Sequence, residues 1–218
     1  MSEGWERLAR EDPLRAIDPS LGSGADVAGF RAVGGLLVDQ VLAWAEPLPA
    51  HDRALEIGFG VGRNLIHLAG HFAHVDGIDV APTMLALAEE HGIPDNVELH
   101  LGSGRDLRPL PDASYDLVFS NLVLQHIADE GAVAQYLREA GRVLRGGGVA
   151  ALQFDTRRLP LAAQFARRLP RSASQRAMQR HPRTAQWVRE QATSATLRIA
   201  AEHGNDPANH WFVLRKPA

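Results

Sequence analysis

Between Arg53 and Asp155 the chain alternates short apolar runs with segments of helical spacing. The runs RALEIG, VDGIDV, VELHLG, YDLVFSN and VAALQFD read as strands, and APTMLALAEEHG and GAVAQYLREAGRVLRGGG read as helices between them. Strands that are apolar on both faces and separated by helices imply a mostly parallel sheet covered on both sides. The first of these helices has proline early and glycine just past its end, the asymmetry of a well-bounded helix. The second is expected to stop at its triple glycine before the fifth strand begins. Further on, ATLRIAAEHG and HWFVLRKP flank a turn at NDPAN and predict an antiparallel hairpin.

The flanking segments are helical in pattern. DVAGFRAVGGLLVDQVLAWAE sets Val33, Leu36, Leu37, Val41 and Trp44 at helical spacing before Pro47 ends the run, and RNLIHLAGHF predicts a helix after the first strand. After the fifth strand, Leu161, Phe165 and Leu169 lie four apart on an expected amphipathic helix, and TAQWVREQA predicts another. A chain of 218 residues suits one core. The expectation is a single domain over 1–218, with residues 1–46 as an N-terminal helical cap and 156–189 as an inserted segment covering a substrate.

Composition removes several function classes. With no cysteine there is no disulfide, thiolate metal site or cysteine nucleophile. The charged start MSEGWERLAREDPLRAID lacks the apolar core of a signal peptide, and no later run is read as approaching a membrane span, so a cytoplasmic chain is expected. The net charge of -3 hides an asymmetry, because residues 156–189 hold nine arginines and no acid. This insertion reads in three ways: a lid that recognises a carboxylate or phosphate, a nucleic-acid patch, or a solvated cover. The near absence of interleaved aromatics disfavours nucleic acid.

The stretch LEIGFGVGRN carries the most specific chemistry. A glycine turn between strand and helix lets backbone amides approach a ligand closely. The dinucleotide fingerprint needs its third glycine at position 63, where this chain has Arg63; its glycines are Gly58, Gly60 and Gly62. Glu56 is an acid within an apolar strand, costly to bury without a partner, and a cationic ligand would supply one. Asp79 ends the second strand, where a carboxylate accepts from ribose hydroxyls or caps the next helix.

Taken with GIDVAPTML, LGSGRDLRPLPDASYDLVFSNLVLQHIAD and LREAGRVLRGGGVAAL, this stretch resembles the class I S-adenosylmethionine-dependent methyltransferases of small-molecule type. The resemblance runs from about residue 36 to 155 and resumes in the terminal hairpin. It implies an α/β, Rossmann-like seven-stranded sheet, mostly parallel with a C-terminal antiparallel hairpin and helices on both faces. It implies S-adenosylmethionine as cofactor and S-adenosylhomocysteine as product. Glu56, Gly58, Gly60, Gly62 and Asn64 would serve the methionine end and Asp79 the ribose, with Val80 and Met84 flanking the adenine. Ser103 and Gly104 stand where the family usually has an acid for the adenine amine, and Asn121 and Leu122 complete the set.

Methyl transfer needs alignment more than acid–base chemistry, and a base only where the acceptor must lose a proton. His126, one turn beyond Asn121, is the candidate base. No metal site is expected: His67 and His71 share a helical spacing with His74 just beyond, but no glutamate follows as in H-E-x-x-H, and a solvated face is the reading. His203 and His210 flank the final turn. The expected substrate is a small molecule, possibly anionic, accepting at O or N. The alternatives are an RNA methyltransferase using the basic insertion and a non-catalytic module that binds the cofactor.

Overall fold

The computed structural model describes residues 2–18, 26–160, 171–204 and 206–218. Four helices come first: α1 Ser2–Glu11, α2 Pro13–Ile17, α3 Val27–Ala32 and α4 Gly34–Ala45. The alternating unit follows as β1 Arg53–Ile57, α5 Leu65–Leu68, β2 His74–Asp79, α6 Pro82–Glu90, β3 Val97–Leu101, β4 Tyr115–Ser120, α7 Glu130–Val143 and β5 Leu144–Phe154. Helices α8 Ala173–Ala177 and α9 Ala185–Ser194 precede the hairpin of β6 Arg198–His203 and β7 His210–Arg215. The strands form one seven-stranded sheet in the order β3-β2-β1-β4-β5-β7-β6. β1 through β5 pair in parallel, and β7 runs antiparallel to both β5 and β6.

Period-two alternation divides the strand residues between two layers. Leu55, Ile57, Val118, Ala150, Leu152 and Phe212 face α7 and α9 in one core cluster. Ala54, Leu117, Phe119, Val149, Ala151 and Val213 face α4 and the region around α5 in the other. Each large side chain fully buried in these layers stabilises the fold by roughly 1.5–3 kcal/mol. A third cluster joins Leu8, Leu14 and Phe30 to Val61 and Met84, which seats the N-terminal helices over the C-terminal ends of the first strands.

Several local expectations are corrected. The segment read as one helix before Pro47 breaks at Val33, and the faces differ: Val38, Val41, Leu42 and Ala45 are buried while Val33 and Leu36 are exposed. By length and composition Val27–Ala45 is also apolar enough to cross a membrane, contrary to the sequence reading; in the fold, one face of α4 packs under the sheet. The helix over RNLIHLAGHF shortens to α5, and β5 begins at Leu144 and runs through the triple glycine, with an irregular register against Tyr115 and Leu117. The helix expected around Leu161, Phe165 and Leu169 lies outside the described residues. Ser172 and Gln175 form a capping box on α8, and Thr184 caps α9.

Candidate active site

The chain order reverses between β1 and β4, so the loops leaving their C-terminal ends part and open a crevice, as in other open α/β sheets. Gly58 and Gly60 after β1, Asp79 at the end of β2 with Val80 and Met84 beyond it, Gly102 and Gly104 after β3, and Asn121 and Leu122 after β4 line it. Trp5, Ala16 and Ile17 from α1 and α2 also line the cleft, and Tyr136 of α7 reaches it from the sheet's far side. The cleft and its open mouth together hold about 820 Å³ of empty space, bulk solvent at the mouth included.

The turn after β1 requires its glycines. Gly58 has φ 74°, and a Cβ there would stand 2.3 Å from Val123 Cγ2. Behind the turn, Glu56 is buried and accepts a 2.9 Å hydrogen bond from Asn64 Nδ2. Glu56 Oε2 and Asn64 Oδ1 are both buried acceptors with no hydrogen-bond partner. Burial pushes the Glu56 carboxyl up to about 8, against the lowering effect of the Asn64 bond and the Arg63 guanidinium. Glu56, Gly62 and Asn64 do not line the cleft directly; Gly58 and Gly60 stand in front of them, and Ile17 packs against Gly60.

Asp79 lies at the cleft but its carboxylate is engaged with backbone. Oδ2 accepts from Gly60 N at 3.0 Å and Oδ1 from Ala81 N at 3.0 Å, so the residue ties the glycine turn to the start of α6. Burial raises its pKa and these amide bonds oppose the rise. A tighter tie comes from α1, whose Glu6 accepts from Thr83 N at 3.0 Å and from Thr83 Oγ1 at 2.7 Å.

The Ser103 hydroxyl is engaged within its own turn. It donates to Asp106 at 3.1 Å and accepts from the amides of Arg105 and Asp106, a local turn that leaves the side chain on the neighbouring cleft. At the end of β3 the first cleft is lined by Gly102 and Gly104.

At the end of β4, Leu122 adopts a left-handed φ of 59°, and its N–H donates to Gln153 Oε1 at 2.7 Å. Gln153 is buried on β5 and donates in turn to Asn209 Oδ1 at 2.8 Å. The sequence reading missed Gln153; a lone amide inside the apolar run VAALQFD was the available signal. It also missed Tyr136, and it used Arg63 only to exclude the dinucleotide spacing. Arg63 is half-buried over the Phe30 ring at 4.9 Å.

His126 ends a 3₁₀ turn, Leu124–His126, and sits edge-on to Trp5 with ring centroids 5.3 Å apart. It lines the neighbouring cleft with Ser103, Arg105, Arg176 and His181. Burial first, then the charge of Arg180, push its imidazole down to about 4. His67 is not solvated as expected, since its Nε2 lies 2.9 Å from Arg31 O, while His71 pairs with Asp39 and His74 opens β2. His203 stacks on Trp44 and His210 pairs with Glu202.

Among the described arginines of the insertion, Arg183 does not face water, whereas Arg157 and Arg189 are exposed and held by ion pairs. Arg183 is buried and donates to the carbonyls of Leu124, Ile127 and His181, and Arg157 and Arg189 pair with Asp155 and Glu202. The insertion is thus strapped to the turn that carries His126.

The methyltransferase domain family matches residues 55–152. Over these residues the chain matches a methyltransferase domain, and the solved structures of similar fold include S-adenosylmethionine-dependent methyltransferases. It is 28% identical to ajmaline N-methyltransferase of Rauvolfia serpentina over 152 residues, covering 66% of this chain and 50% of that protein. It is 36% identical to 27-O-demethylrifamycin SV methyltransferase of Amycolatopsis mediterranei over 116 residues, covering 51% and 41% respectively. The chain therefore spans about half or less of these relatives. Its fold matches that of an S-adenosylmethionine-bound amino pentose methyltransferase from Micromonospora echinaspora with TM-score 0.64 at 18% identity, covering 88% of this chain and 92% of that one.

Proposed function

We propose that this chain is a methyltransferase that moves the methyl group of S-adenosylmethionine to an O or N atom of a small molecule, and that it works in the cytoplasm. The observation that carries the reading is the pair of buried acceptors, Glu56 Oε2 and Asn64 Oδ1, behind the glycine turn. Buried acceptors in a native fold call for a donor, and an ammonium on an adenosine-bearing ligand in the adjoining cleft matches the charge of the carboxylate. S-adenosylmethionine when bound supplies an electrophilic methyl carbon on a sulfonium.

The chain's own part is to bind, orient and exclude water. Glu56 and Asn64 would hold the amino-acid end, Asp79 the ribose, and Val80 and Met84 would flank the base, whose edge is left to the backbone around Gly102 and Gly104. Trp5, Ala16 and Ile17 cover the cleft, which keeps the reacting groups out of bulk water. A cover built from the chain's own first helices favours a small acceptor over a macromolecule. The relatives named for ajmaline and demethylrifamycin act on small molecules by their names, one at N and one at O, which supports the substrate class and leaves the atom open.

His126 is the proposed base where the acceptor must lose a proton, and Arg105 and Arg176 on the cleft it shares suit an anionic acceptor. A screen of small O- and N-nucleophiles that reads S-adenosylhomocysteine release tests the reading. Calorimetry with S-adenosylmethionine that shows no binding would remove it. Binding without release for any acceptor class would favour a non-catalytic module, and release with RNA alone would favour a macromolecular substrate.

A further inference from the structure

A second convergence of reactive side chains lies at the other end of the strands, away from the cofactor cleft. His74 and Asp76 are two apart on β2, Glu98 and His100 are two apart on β3, and the parallel register sets Asp76 beside Glu98. Period-two alternation therefore turns all four to one face. Residues 102–114, which link β3 to β4, include no helix to cover that face.

The spacing is close to that of a metal's ligands. His74 Nε2 is 3.4 Å from Asp76 Oδ2 and 4.0 Å from Glu98 Oε2, and one atom from each of the three residues lies within 4.8 Å of the others. A tetrahedral ion with bonds of about 2.0–2.1 Å holds its ligands about 3.3 Å apart. The donors would need to draw in only slightly. His74 Nε2 is itself shielded and meets no hydrogen-bond partner.

Asp76 is held as a metal-binding carboxylate usually is. It is fully buried, Arg53 Nε donates to Oδ2 at 2.7 Å, Arg53 Nη2 to Oδ1 at 3.0 Å, and His100 Nε2 lies 2.8 Å from Oδ1. Such second contacts fix a ligand's orientation. Asp76 and Glu98 have Arg53 as their guanidinium, while Arg145 on the same hollow is itself paired with Asp52 and Asp116. An open hollow lined by Arg53, His74, Glu98 and Arg145 gives access from solvent.

We propose that His74 Nε2, Asp76 Oδ2 and Glu98 form a site for a divalent transition metal, with His100 and Arg53 as positioning residues for Asp76. An imidazole with carboxylates and no thiolate suits zinc or a neighbour of zinc, and not calcium or magnesium. The ion would tie the edge strand β3 to β2, at the opposite end of the sheet from the methyl-transfer chemistry.

The test uses the tag-free full chain, stripped with a chelator and titrated with zinc chloride alone by calorimetry, alongside thermal unfolding with and without zinc. One equivalent should bind saturably and raise the unfolding temperature. His74→Ala and Glu98→Gln change partly exposed side chains, and each should weaken binding at least about tenfold, the scale on which altering a metal site's surroundings acts. His71→Ala, at a histidine elsewhere that pairs with Asp39, should leave the isotherm unchanged. Absence of saturable binding, or an isotherm that neither His74→Ala nor Glu98→Gln alters, would overturn the proposal.

Discussion

Asn64 donates its side-chain amide to Glu56 at 2.9 Å inside the fold, and the two residues still leave one acceptor oxygen each without a partner. A hydrogen bond to a charged group contributes about 1.5–3 kcal/mol. Glu56→Gln keeps the shape and removes the charge, so S-adenosylmethionine should bind roughly 10- to 100-fold more weakly by calorimetry. Unchanged affinity would mean that the amino-acid end is held elsewhere.

The same carboxyl makes binding depend on pH. In the free protein Glu56 keeps its proton up to about 8 because it is buried, whereas a cationic ligand requires the carboxylate. Binding below that pH must expel the proton, so affinity should rise with pH by up to about tenfold per unit. The rise should end near pH 8, where an α-amino group itself begins to lose its proton. Calorimetry at pH 7 in two buffers of different ionisation heat should show close to one proton released. In the absence of ligand the sign reverses. The folded chain holds this proton through the window from about 4.3, the unfolded value, to about 8, so this group's contribution to stability falls as pH rises across it. Glu56→Gln should flatten that part of the stability profile.

The left-handed Leu122 is stabilised by its bond to Gln153. Replacing Gln153 with leucine leaves the Leu122 N–H without its acceptor and Asn209 Oδ1 with Arg180 as its remaining donor, at a cost of about 1–3 kcal/mol for the buried amide. Because Leu122 lines the cleft, the variant should also bind the cofactor more weakly. Denaturant unfolding and calorimetry read the two effects separately. A stable variant with normal affinity would show that the turn holds without its partner.

The sheet was readable because its information is local. Apolar runs at period two and helices bounded by proline and glycine specify a parallel α/β layer wherever the segments pair, and LEIGFGVGRN and GIDV place a glycine turn and a carboxylate at the ends of adjacent strands. What the sequence hid depends on contacts across the fold. Ser103 matched a family position, yet the next residues offer Asp106 and two amides, and the local turn captured its hydroxyl. Arg183 looked like one more arginine in a basic stretch until the carbonyls of Leu124, Ile127 and Ala128 around the His126 turn converged on it. The convergence of His74 with Asp76 and Glu98 needs the register of β2 against β3, which no spacing along one strand reveals.

Arg183 accordingly tests whether the insertion is a structural strap. Arg183→Ala removes donors from the carbonyls of Leu124, Ile127 and His181 and takes a guanidinium off the Trp187 ring, 5.6 Å away. The loss should be about 2–4 kcal/mol in chemical denaturation, with charged hydrogen bonds as the main source. Arg183→Lys should recover little, because one ammonium cannot span carbonyls that a planar fork reaches together. A loss below about 0.5 kcal/mol, the range of ordinary surface changes, would contradict the strap.

His126 is the sharpest test of the proposed chemistry, because burial and the Arg180 charge place its pKa at about 4 instead of near neutrality. An imidazole in that state is neutral from about pH 5 upward, and it is a weaker proton acceptor than an ordinary histidine, so its position beside the acceptor has to supply the gain. A rate limited by this base should therefore show no acid limb near 6.5, the ordinary histidine value. Nuclear magnetic resonance of the His126 ring should give a titration midpoint near 4, and a midpoint at 6 or above would mean that the ring is hydrated. For an acceptor that must lose a proton, His126→Ala should lower kcat by about 10²–10⁴, the usual contribution of a positioned base. For an amine that reacts as the free base, the same variant should leave kcat nearly unchanged. Comparing a phenol with an amine in wild type and variant would separate a base from a residue that only packs against Trp5. Equal losses on both substrates would assign His126 to packing.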